Sequence, residues 1–170
     1  NGVVILPEPG YSEYIRQAKR VGLKPNVDIK SIDVIEQSGE ELEAELERIM
    51  AEVGSNRPVL LLLTSLNNPA STQMKPEQYM AIARISNKHK NLLIAEDYAY
   101  RTNVKMGYYD EGTNIKIPSI AQYTDDAIII DSASKSVAAP GARIAHVAQG
   151  KGLMVRNATM RNEFAEVIRN

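Results

Sequence analysis

Val59-Leu-Leu-Leu-Leu-Thr64 is an unbroken apolar run that gives way to the polar stretch Ser65-Leu-Asn67-Asn68-Pro69-Ala-Ser-Thr72. A strand at the centre of a parallel sheet reads this way, because helices cover both of its faces. Similar short runs flank it: Val3 to Leu6 before the turn Pro7-Glu-Pro9-Gly10, Leu92-Leu-Ile-Ala95, and Ala127-Ile-Ile-Ile130. Each is short, apolar, rich in branched side chains and bounded by turn or polar residues, as buried strands are. Val27 to Val34 alternates apolar and polar partway along, which suits a half-exposed edge strand. Ile144-Ala-His-Val-Ala148 is read as a last strand before Gly150-Lys-Gly152.

Helical spacing fills the gaps. Tyr14, Ile15, Ala18 and Val21 recur at helical intervals after Ser12, and Gly22 stops the pattern. Ser38-Gly-Glu-Glu41 has the form of a capping box, followed by Leu42, Leu46, Ile49 and Val53 on one helix face up to Gly54. The glutamates of that segment read as its solvated face. Pro76 suits a first helical position, with Tyr79, Ile82, Ala83 and Ile85 inward. Arg101 to Pro118 reads as loop, Ser119 to Tyr123 as a short helical turn, and Met160, Phe164, Val167 and Ile168 have helical spacing near the end. Strand and helix alternate, so βαβ crossovers are expected. The fold class is α/β: a three-layer α/β/α sandwich with a mostly parallel sheet of about six strands.

The 170 residues fit one domain, long enough to bury a full core. A formal charge of −1 argues against a nucleic-acid surface. No apolar run approaches the roughly 18 residues of a membrane span. The opening Asn1-Gly-Val-Val-Ile-Leu lacks the basic region of a signal peptide. Cysteine is absent, which excludes disulfides and thiolate metal sites and fits a reducing compartment, so a cytoplasmic location is expected. His89 and His146 are the only histidines, and His89 reads as a charge at a helix C-terminus, so no metal site is expected. Neither a Gly-x-Gly-x-x-Gly nor a P-loop is present.

The chemistry is expected at strand exits. Asn68 follows the central strand, Asp97 and Tyr100 the next, and Ser132, Ser134 and Lys135 the one after. In a parallel sheet these exits share one edge, where ligands of open α/β folds bind. An amine, a carboxylate, a phenol and an amide without histidine are a poor set for a serine triad. They suit carbonyl chemistry in which a lysine forms a Schiff base.

Ser132-x-Ser-Lys135 with Pro140-Gly-x-Arg143, preceded by Asn68-Pro69 and Asp97-x-x-Tyr100, resembles the class I/II aminotransferases, which are fold-type I pyridoxal-phosphate enzymes. Val4-x-x-Pro7-x-Pro9-x-Tyr11-x-x-Tyr14 is similar to an earlier segment of that family. The motifs stand in family order over residues 1 to about 150. The resemblance implies pyridoxal 5'-phosphate as cofactor, held on Lys135 as a Schiff base. It implies that Asp97 faces the pyridine nitrogen, that Tyr100 and Asn68 bond the ring oxygen, that Arg143 with Ser132 or Ser134 binds the phosphate, and that Tyr11 stacks on the ring. The implied reaction is amino-group transfer between an amino acid and a 2-oxo acid, in a homodimer, with neither nucleic acid nor membrane as partner. A decarboxylase or lyase on the same scaffold, or a non-catalytic binding domain, shares these features. Family members are much longer, so residues 1–170 are expected to be a single incomplete cofactor-binding large domain. The N-terminal phosphate loop and the C-terminal small domain would both lie outside it.

Overall fold

The protein is described from a computed structural model, which covers residues 2–100, 118–136, 138, 140–142 and 144–152. Arg143, the stretch 101–117 and the helical spacing near the C-terminus lie outside the described residues. Six strands form one sheet: β1 (Val3–Pro7), β2 (Ile29–Ile32), β3 (Val59–Thr64), β4 (Leu92–Asp97), β5 (Ala127–Ser132) and β6 (Ala145–Gln149). Their order is β2-β1-β3-β4-β5-β6. The first five are parallel, and β6 runs antiparallel beside β5. The helices are α1 (Ser12–Arg20), α2 (Gly39–Val53), α3 (Pro76–Lys88) and the single turn α4 (Ala133–Ser136).

The chain leaves β1 for β2 on one side and then crosses back to β3 on the other, so the strand order reverses at β1. Right-handed crossovers therefore put α1 on one face and α2 with α3 on the opposite one. Side chains alternate accordingly. Val3, Ile5, Leu61, Leu63, Leu92 and Ile94 pack with Leu42, Leu46, Ile49, Tyr79, Ile82 and Ile85 of α2 and α3. Val4, Leu6, Leu60 and Leu62 pack toward Tyr14 and Ala18 of α1. Beside α1 an apolar hollow of about 830 Å³ remains, lined among others by Val4, Leu6, Ala18, Leu60 and Leu62.

Local signals set the helices. Ser38 accepts the Glu41 N–H while the Glu41 carboxylate accepts the Ser38 N–H, the reciprocal cap its sequence predicts. Gly39 lets α2 approach α3: a Cβ there would lie 2.6 Å from the Glu77 carbonyl oxygen. The glutamates of α2 are not merely solvated. Glu43 accepts from Arg84 and Glu47 from Lys88, with His89 Nε2 3.0 Å from Glu47, so they bind α2 to α3.

One element differs from the sequence expectation. β2 is shorter than Val27 to Val34 because polar side chains turn the chain at both ends. Asp28 accepts the Lys24 N–H and pairs with Arg57, and Asp33 accepts the N–H groups of Ile35 and Glu36. In α1, as its helical spacing predicts, the chain is helical, but only Ala18 is buried, while Ile15 and the C-cap residue Val21 are exposed. No helix among the described residues is long and apolar enough to cross a membrane.

Candidate functional site

The carboxyl ends of the parallel strands share one edge, and four of these exits build the site. At the first, Gly10 closes the turn after β1. A Cβ there would lie 2.2 Å from the Pro7 carbonyl oxygen, so a larger residue would force the turn open. The turn delivers Tyr11 to the N-cap of α1 and Tyr14 to its first turn. The Tyr14 hydroxyl donates to Asp97 Oδ2 at 2.6 Å and lies 3.3 Å from Thr64 Oγ1. Burial, and then the adjacent Asp97 carboxylate, push the Tyr14 phenol well above its usual range, so it remains a proton donor. Tyr11 is 44% exposed and meets Tyr14 edge-on at 5.5 Å between ring centroids.

At the second exit the chain bends through Leu66, whose φ of 57° lies in the left-handed region that costs a leucine energy. The bend is held from both sides. Asn67 is buried, donates to the Pro9 carbonyl at 2.8 Å and accepts the Ala70 N–H at 3.2 Å, which ties this loop to the β1 exit. Asn68 is thereby presented to the third exit, where its Nδ2 donates to Tyr100 Oη at 3.3 Å.

The third exit carries Asp97 and Tyr100. Asp97 Oδ1 accepts the Ala99 N–H at 3.0 Å, and the Asp97 carbonyl accepts the Ser65 N–H at 3.0 Å. The carboxylate is therefore oriented by a turn on one oxygen and by Tyr14 on the other. At the fourth exit β5 runs directly into α4. Ser132 Oγ accepts the Ser134 N–H at 3.1 Å. One residue on, Lys135 is exposed, with Nζ 5.5 Å from the centroid of the Tyr100 ring, within cation–π range.

Of the residues named from sequence, Lys135, Tyr100 and Asn68 thus form one contact chain, and Asp97 stands at the same strand exit as Tyr100. Ser132 and Ser134 sit together at the start of α4, and Tyr11 flanks Asp97 through Tyr14. Tyr14 itself belongs with them, because its phenol is the side-chain donor to Asp97. Its helical spacing with Ala18 is that of a core residue. The signal that could have found it was a second tyrosine one helical turn after Tyr11, at the start of a helix beginning on the functional edge. Among the described residues no group of three or more His, Asp or Glu side chains is arranged to hold a metal ion.

Comparison with known proteins identifies the family. The family model for aminotransferase class I and II matches residues 2–165. A histidinol-phosphate aminotransferase of Bifidobacterium adolescentis is 27% identical over 106 residues, 58% of this chain and 26% of that protein. In the apo-BacF structure from Bacillus subtilis, the likeness covers 99% of this chain and 38% of the other, at 20% identity and a TM-score of 0.71. A pyridoxal-phosphate-dependent aminotransferase from Streptococcus suis matches over 90% of this chain and 36% of its own, at 22% identity and a TM-score of 0.65. The chain therefore spans about a quarter of the curated relative and little more than a third of the solved ones. The family match extends over nearly its whole length, and the chain belongs to the aminotransferase class I and II family.

Proposed function

We propose that this chain is the cofactor-binding part of a pyridoxal-phosphate-dependent aminotransferase, and that Lys135 is the residue joined to the cofactor aldehyde as a Schiff base. The observation that carries the reading is the chain of contacts at the strand exits: Lys135 Nζ over the Tyr100 ring, and Asn68 on the Tyr100 hydroxyl. The donor set fits the group. An exposed amine suits an aldehyde, a phenol and an amide suit a ring oxygen, and an oriented carboxylate suits a pyridinium nitrogen. When bound, pyridoxal phosphate supplies an electron sink for the carbanion formed at the substrate α-carbon.

The protein's residues divide the remaining work. Asp97 holds the proton on the ring nitrogen, and Tyr14 fixes the carboxylate that does so. Tyr100 and Asn68 orient the ring through its oxygen. Ser132 and Ser134, joined by Arg143, take the phosphate, where an arginine offers paired charge-assisted bonds. Tyr11 covers the ring face. Lys135, once its amine is free, carries a proton to and from the substrate α-carbon. The substrates of this reading are an amino acid and a 2-oxo acid, and the assembly is a homodimer. The groups that select the substrate, and a further phosphate loop, are assigned to parts of the enzyme beyond this chain.

Borohydride treatment in the presence of pyridoxal phosphate is expected to leave the reduced cofactor covalently on Lys135, located by peptide mass analysis. Lys135→Ala is expected to abolish that addition. Absence of the addition in the unaltered protein would overturn the reading. Release of carbon dioxide or an eliminated group, in place of amino transfer to a 2-oxo acid, would move the assignment to a decarboxylase or lyase.

A further inference from the structure

Glu96 immediately precedes Asp97 on β4, so its side chain points to the opposite face of the sheet. It is fully buried there, among groups that are otherwise core. Four donors converge on it. Oε1 accepts from the Ser65 hydroxyl and from Tyr79 Oη at 3.1 Å. Oε2 accepts from Ser119 Oγ at 2.5 Å and from the Ile120 N–H at 3.1 Å. These partners come from three places: the exit of β3, the first turn of α3, and Ser119 with Ile120 at the start of a short helical turn. Tyr79 Oη also lies 3.2 Å from the Pro118 carbonyl oxygen, and its ring stacks on Tyr123.

A buried carboxylate needs such donors, since an unpaired one is strongly disfavoured. The cluster is more than a remedy for burial, because Ser65 grips both neighbouring residues. Its hydroxyl bonds the Glu96 side chain, and its N–H bonds the Asp97 carbonyl at 3.0 Å. Ser65 also begins the loop that presents Asn67 and Asn68. The same carboxylate therefore sets the backbone from which Asp97, Tyr100 and Asn68 project.

We propose that Glu96 is a positioning residue for the site: from the far face of the sheet it locks the exits of β3 and β4 so that Asp97 and the Asn68–Tyr100 pair meet the cofactor in one geometry. This rests on the reading of the site as a pyridoxal-phosphate site. Glu96→Gln keeps the shape, but its amide nitrogen faces donors where an acceptor is needed. Ser119→Ala removes one donor and leaves Glu96 and the site side chains in place.

The test measures the dissociation constant of pyridoxal phosphate by fluorescence titration, the pH profile of the bound cofactor's absorbance, and the melting temperature of the cofactor-free protein. With Glu96→Gln the dissociation constant is expected to rise about tenfold, the size of one lost charge-assisted hydrogen bond. The absorbance profile is expected to shift along the pH axis, because the carboxylate facing the ring nitrogen moves. Ser119→Ala is expected to change both in the same direction by less, and it decides the matter should the glutamine variant fail to fold. A lowered melting temperature with unchanged affinity and profile would mean that Glu96 only supports the fold, and would overturn the proposal. If the unaltered protein takes up no pyridoxal phosphate, the functional reading falls and the positioning role with it. If it does take up cofactor and the variants match it, only the positioning role falls.

Discussion

The two faces of the sheet do different jobs, and β4 shows both within one peptide step. Glu96 points into the face closed by α2 and α3, where Leu42, Leu46, Ile49, Tyr79, Ile82 and Ile85 are almost wholly buried. Asp97 points to the face carrying α1, where Leu60 and Leu62 are only half-buried beside an apolar hollow. On the closed face every polar side chain of the Glu96 cluster is consumed by another. At the strand exits the amine, phenol and amide retain capacity toward a ligand. Rigidity behind the strand exits and unspent polar groups at them are what a preorganised site requires.

The strongest way to break this comparison is to truncate equivalent apolar residues on the two faces. Ile82→Ala opens a cavity in the closed face and is expected to cost about 2–5 kcal/mol in chemical denaturation. Leu62→Ala removes a half-buried side chain and is expected to cost about 1 kcal/mol. Equal losses would mean that the open face is covered in solution, and the distinction between the faces would collapse.

Tyr14→Phe sharpens it. The ring stays and only the hydroxyl on Asp97 is lost, so stability should fall by about 1–2 kcal/mol. Cofactor affinity should fall severalfold in the same titration. A phenylalanine variant that binds pyridoxal phosphate as the unaltered protein does would remove Tyr14 from the site and return it to packing.

The layout was open to reading because its signals are local. A six-residue apolar run such as β3 declares a two-sided strand, and Ser38 with Glu41 declares a helix start. Lys135, Asp97, Tyr100 and Asn68 were legible as neighbours, because each sits at a strand exit and the topology gathers such exits. Tyr14 and Glu96 were not, for opposite reasons. Tyr14 has the spacing of a core residue, and only the approach of α1 to β4 shows where its hydroxyl goes. Glu96 lies in a run that alternates faces, and its partners Ser65, Tyr79 and Ser119 are scattered along the chain. Side-chain bonds between residues distant in sequence leave no periodic trace. For α1 the spacing gave the helix but not its depth: Ile15 and Val21 are exposed, because a nine-residue helix beside an open hollow covers little of the sheet.

The smallest effect separates carboxylates by the sign of their response to pH. Glu43 and Glu47 are held below the ordinary carboxylate range, chiefly by hydrogen bonds from Arg84 and Lys88 respectively. Their contribution is present above the unfolded-state value and is lost as pH falls through the lower folded values. Glu96 goes the other way. Burial raises it, against the opposing pull of its four hydrogen-bond donors. The folded protein then binds the proton more tightly than the unfolded chain, so this contribution declines as pH rises from the ordinary carboxylate range through the folded value. Denaturation midpoints across the acidic range should therefore diverge. The stability difference between the unaltered protein and Glu43→Gln should grow with pH, and that between the unaltered protein and Glu96→Gln should shrink. Salt should flatten the first, because Glu43 and Arg84 are exposed to screening, and leave the second nearly unchanged. Slopes of the same sign would mean that the donors around Glu96 outweigh its burial. The carboxylate behind Asp97 would then be an ionised clamp whose contribution is lost only as pH falls through a lowered folded value.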